Sequence, residues 1–259
     1  MQKAIGLYVI AVLSYFAISS ANAASYQLFD QVLKAHVKDG FVDYPAIKAN
    51  ARFQQYLDYL ADADPESFAS RDEKLAFWIN AYNALTIKGI LDGLSPDGFF
   101  SRVTFFTTDY TLAGRQIDLY DLEQQIIIPL GEPRIHFAIV CASSSCPKLI
   151  SEAYTANRLD QQLDQNTRSF INNESKNKFD KTYQTARISK IFDWFDQDFK
   201  AGAKTVQQYI GKYVDDPVVA KGLLSNEYQI FYSSYDWSLN GINPPAIPKK
   251  DLNRERDGR

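Results

Sequence analysis

Residues 70–91 read SRDEKLAFWINAYNALTIKGIL, and this stretch decides the fold. Ser70 followed by Glu73 forms a capping box, in which each side chain satisfies an amide left free at a helix start. Apolar and aromatic residues then run to Leu91, and Gly93 stops the helix. They lie on every side of it. A helix without a polar face belongs in the middle of a protein. Asn80 and Asn83 stand one turn apart, so their amides point the same way. Inside such a helix each must find partners or cost about 1–3 kcal/mol.

Upstream of this helix, residues 25–37 carry a helical stripe of Leu28, Val32, Leu33 and Val37. A turn at 38–40 and a short extended piece at 41–44 follow. Pro45 opens a helix expected to reach residue 63. Beyond the central helix, residues 105–118 read as a hairpin turning at Ala113-Gly114. Asp118 caps a helix to about residue 128. Residues 135–141 (IHFAIVC) are apolar on both faces, which suggests a central strand left by a loop of small residues at 143–147. Helices are expected over 155–171, 191–199, 205–213 and 217–224, with a hairpin at 179–189 and a last strand at 228–235. No repeat and no regular βαβ rhythm is present. The pattern is α+β in one domain spanning 24–243: an antiparallel sheet, a buried central helix, and further helices packed around it.

The two ends differ from this domain. Lys3 precedes an apolar run over residues 4–18, and Ala21-Asn22-Ala23 supplies a small-x-small cleavage pattern. The run is shorter than the ~20 residues needed to span a bilayer. Residues 1–23 therefore read as a signal peptide, with cleavage before Ala24, a periplasmic or secreted product, and no stable membrane insertion afterwards. Residues 244–259 are rich in Pro and charge and read as a loose tail. The net charge of −3 argues against a nucleic-acid footprint, which needs a basic face. With 16 Tyr and 17 Phe, aromatic grooves are within reach of the composition.

Chemistry has few places to sit. The chain has two Cys (Cys141 and Cys146) and two His (His36 and His136). No spacing suggests a metal site, and no phosphate loop or dinucleotide fingerprint appears, so no metal or cofactor is expected. Cys146 as a thiolate nucleophile, His136 as proton carrier and Glu123 as orienting carboxylate supply the parts of a triad. Asn80 or Asn83 would then donate to an oxyanion. A disulfide between Cys141 and Cys146 is the rival reading, and it would close only a short loop. The three acids Asp193, Asp196 and Asp198 read as solvated surface or helix capping, with a cation site as the alternative.

Four stretches carry a resemblance: KLAFWINAYNALTIKGIL (74–91), IHFAIVCASSSCPKL (135–149), ISKIFDWFDQDF (188–199) and YDWSLN (235–240). They resemble the signature blocks of the family called domain of unknown function 547. The resemblance implies a fold similar to papain-like and transglutaminase-like cysteine enzymes. In those enzymes the nucleophilic Cys starts the buried helix, whereas here that helix has Asn80 and Asn83 and no Cys. Two functions follow as expectations. One is an exported thiol-dependent hydrolase or acyl transferase acting on an amide or ester of a peptide or envelope polymer. The other is a catalytically silent binding module with an aromatic groove around Trp78, Tyr82, Trp194 and Trp237.

Overall fold

The structure is a computed structural model that describes residues 25–241. The signal-peptide expectation at 1–23 and the tail expectation at 244–259 fall outside those residues.

The central helix is as the sequence reads it. Helix α4, Arg71–Leu91, starts at Ser70, whose hydroxyl accepts from the Glu73 amide. Glu73 returns the favour by accepting from the Ala69 amide. From Leu75 to Ile87 every residue of α4 is buried. Around it lie α1 (residues 25–36), α2 (Tyr44–Lys48) and α3 (Ala51–Asp62). The expected single helix at 45–63 is two helices. Asn50 turns its side chain to accept from the Arg52 amide, capping α3 and ending α2. A two-residue hairpin, β1 (Val37–Lys38) with β2 (Phe41–Val42), precedes α2. Its turn places Gly40 at φ +86°, where a Cβ would lie 2.7 Å from Lys148.

After α4 come α5 (Phe99–Phe106) and the hairpin β3 (Tyr110–Leu112) with β4 (Arg115–Ile117). The turn at Ala113-Gly114 is as expected, with both residues at positive φ. Asp118 caps α6 (Leu119–Asp121), which widens into a π-helical stretch over Leu122–Ile127 and tightens to a 3₁₀ turn over Ile128–Leu130. Pro129 has no N–H for the regular i−4 bond, which is one reason the α-helix does not continue.

The sequence pattern misleads at residues 135–141. They form no strand: a 3₁₀ turn covers Pro133–Phe137, and residues 138–158 follow without a helix or named strand. The apolar run signals burial on both sides, and burial does not require a strand. Here side-chain amides replace neighbouring strands in pairing the backbone.

Helix α7 (Leu159–Ile171) closes the first half. The rest comprises β5 (Lys178–Asp180), β6 (Thr185–Ile188), α8 (Ile191–Trp194), α9 (Asp196–Gly202), α10 (Val206–Gly211), α11 (Pro217–Leu224) and β7 (Gln229–Tyr232). β5 pairs antiparallel to β6, and β6 pairs parallel to β7. Among the described residues the named strands thus make two two-stranded sheets and one mixed three-stranded sheet. The mixture of helices and small sheets is α+β. The expected single antiparallel sheet against the central helix is not what these strands form. Strands this short leave most of the packing of α4 to helices and to the irregular segment.

The buried apolar residues form two clusters. One surrounds α4 and extends to Leu163. The other gathers Phe137 with residues from α7 to Tyr228. Tyr235 packs against both. No helix among the described residues is long and apolar enough to cross a membrane.

Candidate functional site

Asn80 and Asn83 hold the irregular segment in place. Asn80 donates to the Tyr154 carbonyl at 2.8 Å and accepts from the Tyr154 amide at 2.9 Å. Asn83 donates to the Ala138 carbonyl at 3.0 Å and accepts from the Val140 amide at 2.9 Å. Gln162 does the same from α7, donating to the Ala153 carbonyl and accepting from the Thr155 amide. Each amide imitates a peptide group of a strand, with one donor and one acceptor satisfied. The expectation that the two asparagines find buried partners holds. Their expected oxyanion role has a competitor, since each is already bonded to backbone at both ends.

The segment they hold carries His136, Cys141 and Cys146. The two cysteines form a disulfide, and among the described residues none is free. In this form Cys146 is no nucleophile, and Cys141 is not the buried thiol the strand pattern implied. Cys146 is buried while Cys141 is partly exposed. The Cys146 sulfur accepts from the Cys141 amide at 3.0 Å and from the Tyr235 hydroxyl at 3.2 Å. Ser143 donates to the Tyr235 oxygen at 3.3 Å.

His136 is buried and sits against different partners from those expected. Its Nε2 lies 2.7 Å from Asp198 Oδ2, and its ring stacks on Phe195 with centroids 3.9 Å apart. Burial pushes its pKa down, against the opposing pull of Asp198. The ring donates through Nε2, because a carboxylate only accepts. Phe195, Asp198 and Phe199 are spaced i, i+3, i+4 and all face His136. That spacing is the signal the solvated-surface reading passes over: it turns Asp198, though still 29% exposed, onto the same side as two aromatic rings and onto His136. Asp198 also borders a cavity of about 120 Å³ with Glu132, Pro133, Ile135 and Gly202.

Glu123 does not orient His136. It accepts from the Tyr82 hydroxyl at 3.2 Å, from its place in the π-helical stretch. π-helical turns recur at working sites because they re-aim side chains. Glu123 keeps some exposure as a residue, but its carboxyl is enclosed. Burial pushes that carboxyl up to about 7, the Tyr82 bond opposes the shift, and the nearby Asp198 charge adds to it. Tyr235 feels the charge of Glu123 as well, and its hydroxyl is raised chiefly by burial.

The rim is aromatic. Trp194, Tyr235 and Trp237 lie in mutual contact, with centroids 4.5–5.8 Å apart. The Arg102 guanidinium sits 3.9 Å over the Trp237 ring. Of the four groove residues expected, Trp194 and Trp237 are at this rim, and Tyr82 lies buried with its hydroxyl on Glu123. Trp78 is in the core against Phe77. Among the described residues no group of three or more His, Cys, Asp or Glu could hold a metal ion.

Residues 66–171 match the model of a family described as "Protein of unknown function, DUF547". This supports the resemblance to that family, and the matched residues include α4, the π-helical stretch and the cysteine segment. Asp198 and the aromatic rim lie beyond the matched residues. No match was found among curated proteins or among solved structures.

Proposed function

We propose that this chain is an exported binding domain that receives a segment of peptide or envelope polymer on the aromatic platform of Trp194, Tyr235 and Trp237. The observation that carries the reading is the platform itself. Trp194 is 45% exposed although it touches two other aromatic rings. Arg102 supplies a cation over the Trp237 face, a polar group that would orient a ligand. Exposed aromatic faces with few convergent polar groups suit sugar rings and peptide side chains. The signal-like start of the sequence supports export.

The test is tryptophan fluorescence of the purified protein, titrated with short peptides and with oligosaccharides. A saturable change is expected, weakened at least about tenfold by Trp194→Ala, as befits an interface anchor. A signal that survives Trp194→Ala and Trp237→Ala unchanged would place the ligand elsewhere.

A second reading is favoured by the surroundings of Cys146. An exported thiol-dependent hydrolase or acyl transferase would attack an amide or ester with Cys146 after the disulfide opens. Two donors at the sulfur favour its thiolate. Glu123, with a pKa near neutrality, is better suited there than His136 to carry a proton. The papain- and transglutaminase-like arrangement belongs to this reading, with α4 as the buried helix and the thiol supplied from a loop. Ester turnover that appears only with reductant, and vanishes in Cys146→Ser, would favour it over the binding domain.

A further inference from the structure

We propose that Cys141 and Cys146 form a redox-active pair that exchanges with external thiols, and that Tyr235 positions and stabilises the leaving thiolate of Cys146. The proposal goes beyond both readings above, since it needs neither a ligand on the platform nor cleavage of an amide or ester.

Four observations support it. The two cysteines are unequally exposed: Cys141 is partly exposed and Cys146 buried. The Cys146 sulfur receives a backbone donor, the Cys141 amide, as well as the Tyr235 hydroxyl, whereas the Cys141 sulfur meets only hydroxyls, Ser143 at 3.2 Å and Tyr235 at 3.3 Å. The loop between the cysteines is held without the covalent bond. Ser144 donates to the Ser238 carbonyl at 2.7 Å, Ser145 to the Asp236 carbonyl at 3.1 Å, and Asn240 to the Ala142 carbonyl at 3.0 Å. Lys176 donates to the Ser144 carbonyl. Finally, Ala142 between the cysteines lies at φ +59°, a conformation that its Cβ disfavours and that clusters at working sites. A crosslink five residues apart on a loop already stitched down adds little as a staple.

The exchange runs as a thiol–disulfide displacement. A thiolate attacks the sulfur of Cys141, the less buried of the two cysteines, and forms a mixed disulfide. The Cys141–Cys146 bond breaks, and its electron pair leaves on Cys146 as thiolate, where the Tyr235 O–H and Cys141 N–H receive it. A second thiolate attacks the reductant's sulfur in the mixed disulfide and releases Cys141. Two external thiols become one disulfide, and the protein gains two electrons and two protons. A well-stabilised leaving thiolate speeds the first step.

The experiment uses the purified protein in mixtures of reduced and oxidised glutathione, without denaturant. Trapping with an alkylating reagent and mass measurement give the reduced fraction, and circular dichroism follows the fold. Reduction within the range of glutathione mixtures, with the fold retained and reoxidation on reversal, is expected. Structural disulfides resist the glutathione pool. A pair that stays oxidised until the chain unfolds overturns the proposal. Tyr235→Phe should lower the equilibrium constant for reduction about tenfold, the worth of one hydrogen bond to a charged group. It should also move the pH profile of Cys146 alkylation upward. If neither changes, the role of Tyr235 is refuted. If Tyr235→Phe fails to fold, the wild-type profile decides. Inflection below the usual thiol value of about 8.5 supports the stabilised thiolate, and inflection at or above it refutes it.

Discussion

Glu123 shows what one side chain's placement does to pH dependence. A carboxyl whose folded pKa is above its ordinary 4.5 holds its proton more tightly in the native state. Its contribution to stability is therefore fully present below pH 4.5 and lost as pH rises to about 7. The span corresponds to about 3 kcal/mol. His136 works in the opposite sense. Its folded pKa is depressed, so its contribution is present above the unfolded value of 6.5 and lost as pH falls through the folded one. Comparing wild type with Glu123→Gln cancels the His136 part. Denaturant titrations between pH 4.5 and 7 should show the variant gaining on wild type by up to about 3 kcal/mol. A difference that does not change with pH would mean the carboxyl is solvated. Sequence could nominate Glu123 as an acid near the site, but not name its partner. The hydroxyl that bonds it comes from Tyr82, on a different helix.

At the scale of elements, α4 and the segment after Phe137 depend on each other. The helix needs partners for its buried amides, and the segment has no neighbouring strand to pair with. Asn80→Leu strands the Tyr154 amide and carbonyl, and Asn83→Leu strands the Val140 amide and Ala138 carbonyl. Each substitution should cost about 2–6 kcal/mol, two buried backbone groups at about 1–3 each. Urea denaturation checks this, and a loss under 0.5 kcal/mol in either variant would show water reaching the segment. Burial of α4 is readable from its lack of a polar face. The failure at 135–141 has the same root: a run apolar on both faces reports enclosure, and enclosure by α4 and α7 looks the same in sequence as enclosure by two strands.

Across the whole molecule the site lies where the two apolar clusters meet. Glu123, Tyr82 and the cysteines belong to the side built on α4, and Asp198, Phe195 and Trp194 to the side built on α8 and α9. Phe137 crosses over. Its chain neighbours Ile135 and Ala138 pack in the first cluster, and its ring packs in the second, against Phe170, Phe192 and Phe199. Phe137→Ala should cost about 3–5 kcal/mol, as large truncations in a packed core do. It should also loosen the His136–Asp198 pair, because Phe199 touches both rings. Thermal melting reads the first effect, and the NMR titration of His136 reads the second. An unchanged titration with a lowered melting temperature would show that the pair is held by α9 alone.

Sequence alone determined the central helix to its first and last residue, the turns at 38–40 and at Ala113-Gly114, helix α11 and the α+β character. These follow from local rules: caps, periodicity and turn residues act within a few positions of each other. It also singled out His136, Cys146, Glu123, Asn80 and Asn83 as residues of unusual position. Tertiary structure decided their pairings. His136 took Asp198, Glu123 took Tyr82, the asparagines took backbone, and Tyr235 came to the disulfide from 89 residues away. No local pattern encodes those distances, because partners of a buried polar group are set by which elements the packing of the core brings face to face.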